Sequence, residues 1–228
     1  MKTKDYIKAL SLSNPQIRFA SAEEHYRIYY EFVRSLMHEE GALHPQDYRG
    51  QGAVNIVCSQ HPVGVEEYLS DPKGWEKKQR LYTAEWVEFL NSERLPAKEI
   101  DVCSIVNQKV FDALCRQEGL ESLRIKWLRC KQIEEIVRLK NLKKLFFGRA
   151  SSLTDLSPLA KLENLEVLIL GETKKIVDYS PLAALKKLKV LGICTYLYGT
   201  VGVKDLGFIS EMPSLEYVDF VDVRLVGG

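Results

Sequence analysis

The sequence predicts an α/β solenoid, a curved parallel sheet with short helical or irregular return segments, behind a mainly helical N-terminal region. Two observations carry this reading. The pattern leucine, two residues, leucine, one residue, leucine recurs as Leu120-Leu123-Ile125, Leu142-Leu145-Phe147, Leu165-Leu168-Leu170, Leu188-Leu191-Ile193 and Leu215-Val218-Phe220, with leading positions 22, 23, 23 and 27 residues apart. A period in the low twenties gives each unit room for one short strand and one return segment. The second observation is register. Nine, six and three residues before the leading leucines stand Ile133, Ile136, Leu139; Leu156, Leu159, Leu162; Tyr179, Leu182, Leu185; and Leu206, Ile209, Met212, all apolar.

One period before Leu120 lies Ala97, with Ile100 and Val102 at the two inward strand positions and Phe111 and Leu114 in the return segment. This reads as a degenerate first repeat, since terminal repeats depart from consensus where they cap the stack. The expected organisation is therefore a helical cap or small domain over 1–95, then about five repeats plus the degenerate one over 96–228.

The return segments Asp-Leu-Ser-Pro-Leu-Ala at 155–160, Asp-Tyr-Ser-Pro-Leu-Ala at 178–183 and Asp-Leu-Gly-Phe-Ile-Ser at 205–210 resemble those of internalin-type leucine-rich repeats. The same short-repeat subclass includes the regulatory subunit of protein phosphatase 1. The resemblance covers roughly residues 97–222 and implies a leucine-rich repeat solenoid used as a binding scaffold, without naming a ligand. One departure stands out. The asparagine usual eight positions after the leading leucine is replaced by Leu128, Ala150, Thr173 and Tyr196, so the hydrogen-bonded asparagine ladder is absent and a less regular turn is expected.

Residues 1–20 are weakly patterned and read as an irregular lead-in. Ser21-Ala-Glu-Glu24 reads as a capping box, and Tyr26, Tyr29, Tyr30, Val33, Leu36 and Met37 keep helical spacing until Gly41. From Gly41 to Gly64 the chain reads as loop, with Ala53 to Cys58 a short strand or turn of helix. A short helix is expected over Val65 to Leu69. Asp71-Pro72 then starts a longer one, with Trp75, Tyr82, Trp86, Phe89 and Leu90 on its buried side and its end near Asn91. At the other terminus the sheet edge is expected to be open, with Val221, Val223, Leu225 and Val226 folding back as a partial cover, or with a homodimer formed through the uncapped C-terminal edge.

Composition excludes several classes. The 228 residues carry 32 basic and 31 acidic side chains, a formal net charge of +1, which offers no bulk attraction to nucleic acid or membrane. No apolar run reaches the length of a membrane span, and the N-terminus has no signal-peptide pattern. Five cysteines without paired spacing suit a reducing compartment. Cys103 and Cys194 take the same strand position four repeats apart, roughly 20 Å at about 4.8 Å per strand, and do not pair. Cys115 reads as a small core residue. These features, with the resemblance, point to a bacterial, cytoplasmic protein.

No catalytic constellation, cofactor motif or strong metal pattern emerges. Gly50-Gln-Gly52 lacks the strand and helix of a phosphate loop. Cys58 and His61 with His38 and His44 form a weak zinc pattern. Ser157 and Ser180, each before proline, read as helix caps rather than kinase sites. The lysine clusters Lys140, Lys143, Lys144 and Lys186, Lys187, Lys189 read as a solvated edge rather than a phosphate track.

What remains is a surface. With the leucines inward, the alternate strand positions face the concave side. Its centre is apolar, with Phe146, Val167, Ile169 and Val190, and Trp127, Tyr196 and Tyr217 near the borders. Arg124, Lys126, Lys144 and Arg149 flank one side, Asp219 and Asp222 the other. Apolar surface with aromatic and arginine neighbours has the composition of an interface. The leading expectation is a non-enzymatic scaffold binding another protein there, including an inhibitor or immunity-type binder. The same composition arises if the N-terminal part or the loop Tyr196 to Asp205 packs over this face within the chain. Two other readings are an enzyme with its chemistry in the first 95 residues and a self-assembling structural protein.

Overall fold

The computed structural model describes residues 17–19, 45–48, 52–56, 69–195 and 199–226. The Ser21 capping box, the helix to Gly41, His38, His44, Cys58, His61 and Tyr196 lie outside them. Ten strands are described: β1 (Arg18–Phe19), β2 (Ala53–Ile56), β3 (Glu99–Val106), β4 (Ser122–Leu128), β5 (Lys144–Phe147), β6 (Val167–Gly171), β7 (Val190–Cys194), β8 (Val201–Val203), β9 (Tyr217–Val221) and β10 (Val223–Leu225). Eight form one sheet in the order β1-β9-β7-β6-β5-β4-β3-β2, and β8 pairs with β10 separately. Every pairing is parallel.

The repeats set this topology by placing identical positions opposite one another. Leu123 faces Leu145, which faces Leu168, then Leu191, then Val218. These side chains and the second row, Ile125, Phe147, Leu170 and Ile193, point inward and are fully buried. The return segments close the opposite side of the core. The first is a true helix, α2 (Gln108–Leu114), capped by Asn107, whose Oδ1 accepts from Val110 N–H at 3.2 Å. The later ones are 3-10 helical turns over Glu134–Arg138, Ser157–Lys161, Ser180–Ala184 and Gly207–Glu211. Their apolar residues at minus nine, six and three are all buried. A parallel sheet with turns stacked behind it and one leucine-rich strand per 22–27 residues is a leucine-rich repeat solenoid.

The serines do not cap these turns. Asp155 Oδ1 accepts from both the backbone N–H (2.9 Å) and the hydroxyl (2.7 Å) of Ser157, Asp178 accepts from Ser180 N–H, and Asp205 accepts from Gly207 N–H. The turn begins at the serine itself, so its own N–H is an orphan donor and the acceptor must come from upstream. Hydrogen bonds from the Ser157 and Ser180 groups hold the Asp155 and Asp178 carboxyls below their ordinary value.

Loss of the asparagine ladder does not disorder the turns after the strands. Leu128 N–H donates to Gly148 O, Ala150 to Gly171, Glu172 to Cys194 and Thr195 to Val221. Each acceptor stands six residues after its leading leucine. Leu128, Ala150 and Thr173 fill the former asparagine position as fully buried residues, and the Thr173 hydroxyl bonds that of Tyr179 at 2.7 Å. Arg149, Glu172 and Asp222 adopt positive φ at the seventh position, where the chain leaves the strand.

The N-terminal region joins the sheet at both ends. β2 adds a strand before β3, so the sheet crosses the boundary expected near residue 95. α1 (Pro72–Ser92) starts where Asp71 accepts from Gly74 N–H at 3.0 Å and buries Trp86 and Leu90. Its C-terminus is tied to the first repeat by Gln117, a 2% exposed side chain that donates to Leu90 O and Glu93 O and accepts from Leu95 N–H. The lead-in provides β1, which pairs beyond β9 at the far end, Arg18 opposite Tyr217 and Phe19 opposite Val218. The C-terminal edge is therefore covered, not open, and Ile17 is buried beside it. The Tyr196 to Asp205 stretch contributes β8, on which the last residues fold as β10.

Gly148 marks a tight point between repeats. A Cβ there would stand 2.4 Å from Lys126 O, a backbone atom that cannot rotate away. Gly148→Ala is expected to cost about 2 kcal/mol through overpacking, or roughly 4–8 °C in Tm for a chain of this size, measured by thermal denaturation followed by circular dichroism.

Candidate binding face

Strand register assembles the concave face in rows. Ser122, Lys144, Val167, Val190 and Tyr217 form one row, and Arg124, Phe146, Ile169, Gly192 and Asp219 the next. These are the rows that alternation along the strands groups together. Their exposure differs from the expected open patch: Ile169 is 3% exposed, Tyr217 8% and Asp219 4%. Phe146, Val167 and Val190 are half-buried, and Lys144 is exposed. Part of this burial is local, because Ile169 leans over Gly192, its Cδ1 2.6 Å from where a Cβ would stand. Phe146, Tyr217 and Asp219 each engage further groups of the chain.

The basic side of the face is held by specific partners. Arg124 forms a bidentate pair with Asp101, through Nε to Oδ1 and through Nη2 to Oδ2 at 2.6 Å, with Glu99 at 3.8 Å. Asp101 is 6% exposed, so the fork and its carboxylate neutralise each other in a partly desolvated place. Lys126 Nζ lies 4.9 Å from the centre of the Trp127 ring, a cation–π contact. Arg149 Nε is 3.6 Å from Glu172 Oε1. At the far end Arg18 stands 5.2 Å over the Tyr217 ring, and Thr195 Oγ1 donates to Asp222 Oδ2 at 3.2 Å.

A second array went unread in the sequence. One residue after each leading position stand Lys98, Glu121, Lys143, Glu166, Lys189 and Glu216, alternating in charge. Stacking turns the alternation into a ladder. Lys98 lies 3.8 Å from Glu121, Lys143 2.7 Å from Glu121, and Lys189 2.8 Å from Glu166. The backbone repeats the same steps, from Glu121 N–H to Lys98 O through to Glu216 N–H to Lys189 O, and Arg18 N–H to Glu216 O adds one more at 2.8 Å. The signal was a period-23 alternation of sign, masked by neighbouring lysines. Those have partners as well: Lys186 donates to Glu211 O and Lys187 to Asn164 Oδ1, each at 2.8 Å. The lysine clusters thus tie repeats together, as a solvated edge does.

Neither nucleophile nor metal ligands gather among the described residues. Burial pushes the Cys103 thiol up to about 11 and the Cys130 thiol to about 12, and holds the Cys115 thiol well above its ordinary value, so all three stay protonated at neutral pH and are poor nucleophiles. No group of three His, Cys, Asp or Glu side chains there could hold a metal ion. No helix there is long and apolar enough to cross a membrane. A groove of about 730 Å³ between α1 and the start of α2 is lined by Trp75, Gln79, Thr83, Ile105 and Asn107 together with the charged Glu76, Arg80, Glu88 and Lys109, and Arg80 Nη2 lies 3.5 Å from Glu76 Oε2.

No protein-family model matches the sequence, and no curated protein matches it. Among solved structures, the chain is similar to an internalin, InlF, from Listeria monocytogenes, with 14% identity over 90% of this chain and a TM-score of 0.46. The chain spans 60% of that internalin's length. A second internalin of that bacterium, InlC2, is 22% identical over 63% of this chain and 68% of its own, with a TM-score of 0.39. The leucine-rich repeat ectodomain of a membrane receptor kinase from Arabidopsis thaliana is 14% identical over 57% of this chain and 16% of its own, at 0.42.

The ladder predicts how stability depends on pH. Hydrogen bonds from Lys143 and Lys189 lower the Glu121 and Glu166 carboxyls, and the same bonds raise both lysines. The carboxylates contribute stability that is present above the ordinary glutamate value of 4.5 and is lost as pH falls through the lowered value. The lysines contribute stability present below 10.5 and lost as pH rises through the raised value. The urea midpoint should therefore be flat from about pH 5 to about pH 8 and fall on either side, the alkaline limb beginning with the buried thiols, whose ordinary value of 9.0 the unfolded chain passes first. Glu166→Lys should lower it at neutral pH more than Glu166→Gln does, with the difference shrinking in about 1 M salt.

Proposed function

We propose that this protein is a non-enzymatic interaction scaffold that binds an acidic protein surface through the basic, aromatic N-terminal half of its concave rim. Lys126, Trp127, Lys144 and Arg149, with Arg124 behind them, form the recognition surface. Phe146, Val167 and Val190 extend it where they remain half-exposed. Ile169, Tyr217 and Asp219 support it from buried positions. The observation that carries the reading is the rim's preorganisation. Lys126 and Lys144 stand on strands locked by cross-repeat hydrogen bonds, and Lys126 is already stacked on Trp127, so little side-chain entropy is lost on association. Arginine and tryptophan are the residue types that anchor protein interfaces.

An inhibitory or immunity-type role is the same mode directed at the mouth of an enzyme's active site. A cytoplasmic setting fits the four buried free thiols, Cys103, Cys115, Cys130 and Cys194, which in an oxidising environment usually find partners. A homodimer through the C-terminal edge is not part of this reading, since β1 occupies that edge.

The test compares wild type with the Lys144→Glu, Arg149→Glu double variant in affinity capture from the source lysate, followed by titration of the captured protein. Both side chains are at least partly exposed, so the fold should survive, as circular dichroism would verify. The variant is expected to bind an acidic partner at least about tenfold more weakly, or ~1.4 kcal/mol, chiefly through a slower and less salt-sensitive association. Equal retention by both chains would contradict the proposal.

A further inference from the structure

The small sheet of β8 and β10 leaves one strand edge open. Val201 N–H donates to Asp222 O and Val226 N–H to Val203 O, both at 2.9 Å, in the register that sets Val223, Arg224 and Leu225 beside Val201, Gly202 and Val203. Alternate residues of a paired strand address the same neighbour. Arg224 therefore turns its backbone groups toward β8, and the N–H and C=O groups of Val223 and Leu225 point the other way. No other described strand pairs with β10.

The side chains give this edge its chemistry. Val223 and Leu225 pack against the core yet stay half-exposed, so each keeps an apolar flank within reach of an added strand. Arg224, between them, points to the opposite face and is exposed. It takes part in none of the ion pairs among the described residues. On the same face Val226 and Val177 close over Gly202, their Cγ1 atoms 3.1 and 3.7 Å from where a Cβ would stand, and Val177 is 45% exposed.

The central arginine decides between occupants. The antiparallel register that engages both Val223 and Leu225 of two copies sets Arg224 directly opposite Arg224, in the closer, non-hydrogen-bonded kind of pair. Like charges there are destabilising, which is how edge strands resist self-association. A strand with a carboxylate at that place gains what a second copy loses. We infer that β10 accepts an extended segment of a partner protein as an added strand, with an acidic residue opposite Arg224 and an apolar residue on either side of it, beside Val223 and Leu225. Backbone bonds to Val223 and Leu225 supply affinity, and the alternating side chains supply selectivity. The inference goes beyond the proposed function: the contact lies at the C-terminal end of the stack and does not depend on Lys144 or Arg149.

The test titrates a terminally blocked peptide, threonine-valine-glutamate-valine-threonine, into the full chain and follows the backbone amides by NMR. The Val223 and Leu225 amides are expected to shift along one saturating curve as they gain acceptors. Lysine in place of the peptide's glutamate should weaken binding about fivefold, and Arg224→Glu, a change at an exposed side chain, should reverse that preference. N-methylation of the two valines, whose amides would face β10, should abolish the shifts without altering the protein. The Lys144→Glu, Arg149→Glu double variant should bind the peptide as wild type does, which separates this edge from the basic rim. No saturating shift at Val223 and Leu225, equal binding of the glutamate and lysine peptides, or binding that survives methylation would overturn the inference. Shifts at these amides that grow with protein concentration alone would assign the edge to a second copy and overturn it as well.

Discussion

The in-register parallel ladder is the constraint on which the rest of this structure depends. Each strand is entered through a backbone N–H that reaches the carbonyl one period earlier, from Glu121 to Lys98 and onward to Glu216 and Lys189. Once that step is fixed, leucine must face leucine. A one-residue slip would turn the buried rows to solvent and bring outward groups into the core. The alternating charges reinforce the same register, because a shift by one repeat would set lysine against lysine and glutamate against glutamate. Individual exposed pairs contribute little. Their value here lies in discriminating one stacking from another.

A stack of this kind must solve its two ends. At the first, α1 buries Trp86 and Leu90, and Gln117 satisfies the backbone groups left where the helix stops. At the last, the chain supplies β1 from its own beginning, with Arg18 N–H taking the next rung from Glu216 O. An edge strand of two residues is short enough to make a poor template for further pairing.

Much of the fold was legible in the sequence because a solenoid repeats its instructions. Four return segments and five strands carry the same apolar positions, so even the degenerate unit at Ile100 and Val102 could be placed, and both lie fully buried. The start of α1 at Asp71-Pro72 was legible for a local reason, a capping carboxylate before a proline. The elements missed were those specified without repetition. β1 is two residues held by a partner some 200 positions away, a contact that local pattern does not encode. The serine caps were misassigned because a 3-10 turn starting at the serine needs its acceptor two residues upstream, at Asp155 or Asp178. On the candidate face, period-two reasoning grouped Lys144, Val167, Val190 and Tyr217, and Phe146, Ile169 and Asp219, into the rows that the strand register forms. It could not foresee that Ile169 would lean over Gly192, or that Arg124 would be committed to Asp101.

The most direct test of this account is amide hydrogen exchange along the entry ladder, resolved residue by residue by NMR. If the ladder runs from Lys98 through Glu216 to Arg18 as one cooperative structure, the amides of Lys143, Glu166, Lys189 and Glu216 will exchange slowly. The Arg18 amide will then be protected as well, far above the rate of an unstructured chain. An Arg18 amide exchanging at the free-chain rate while Glu216 stays protected would contradict it, showing that the stack ends at β9 and that the N-terminal strand does not close it.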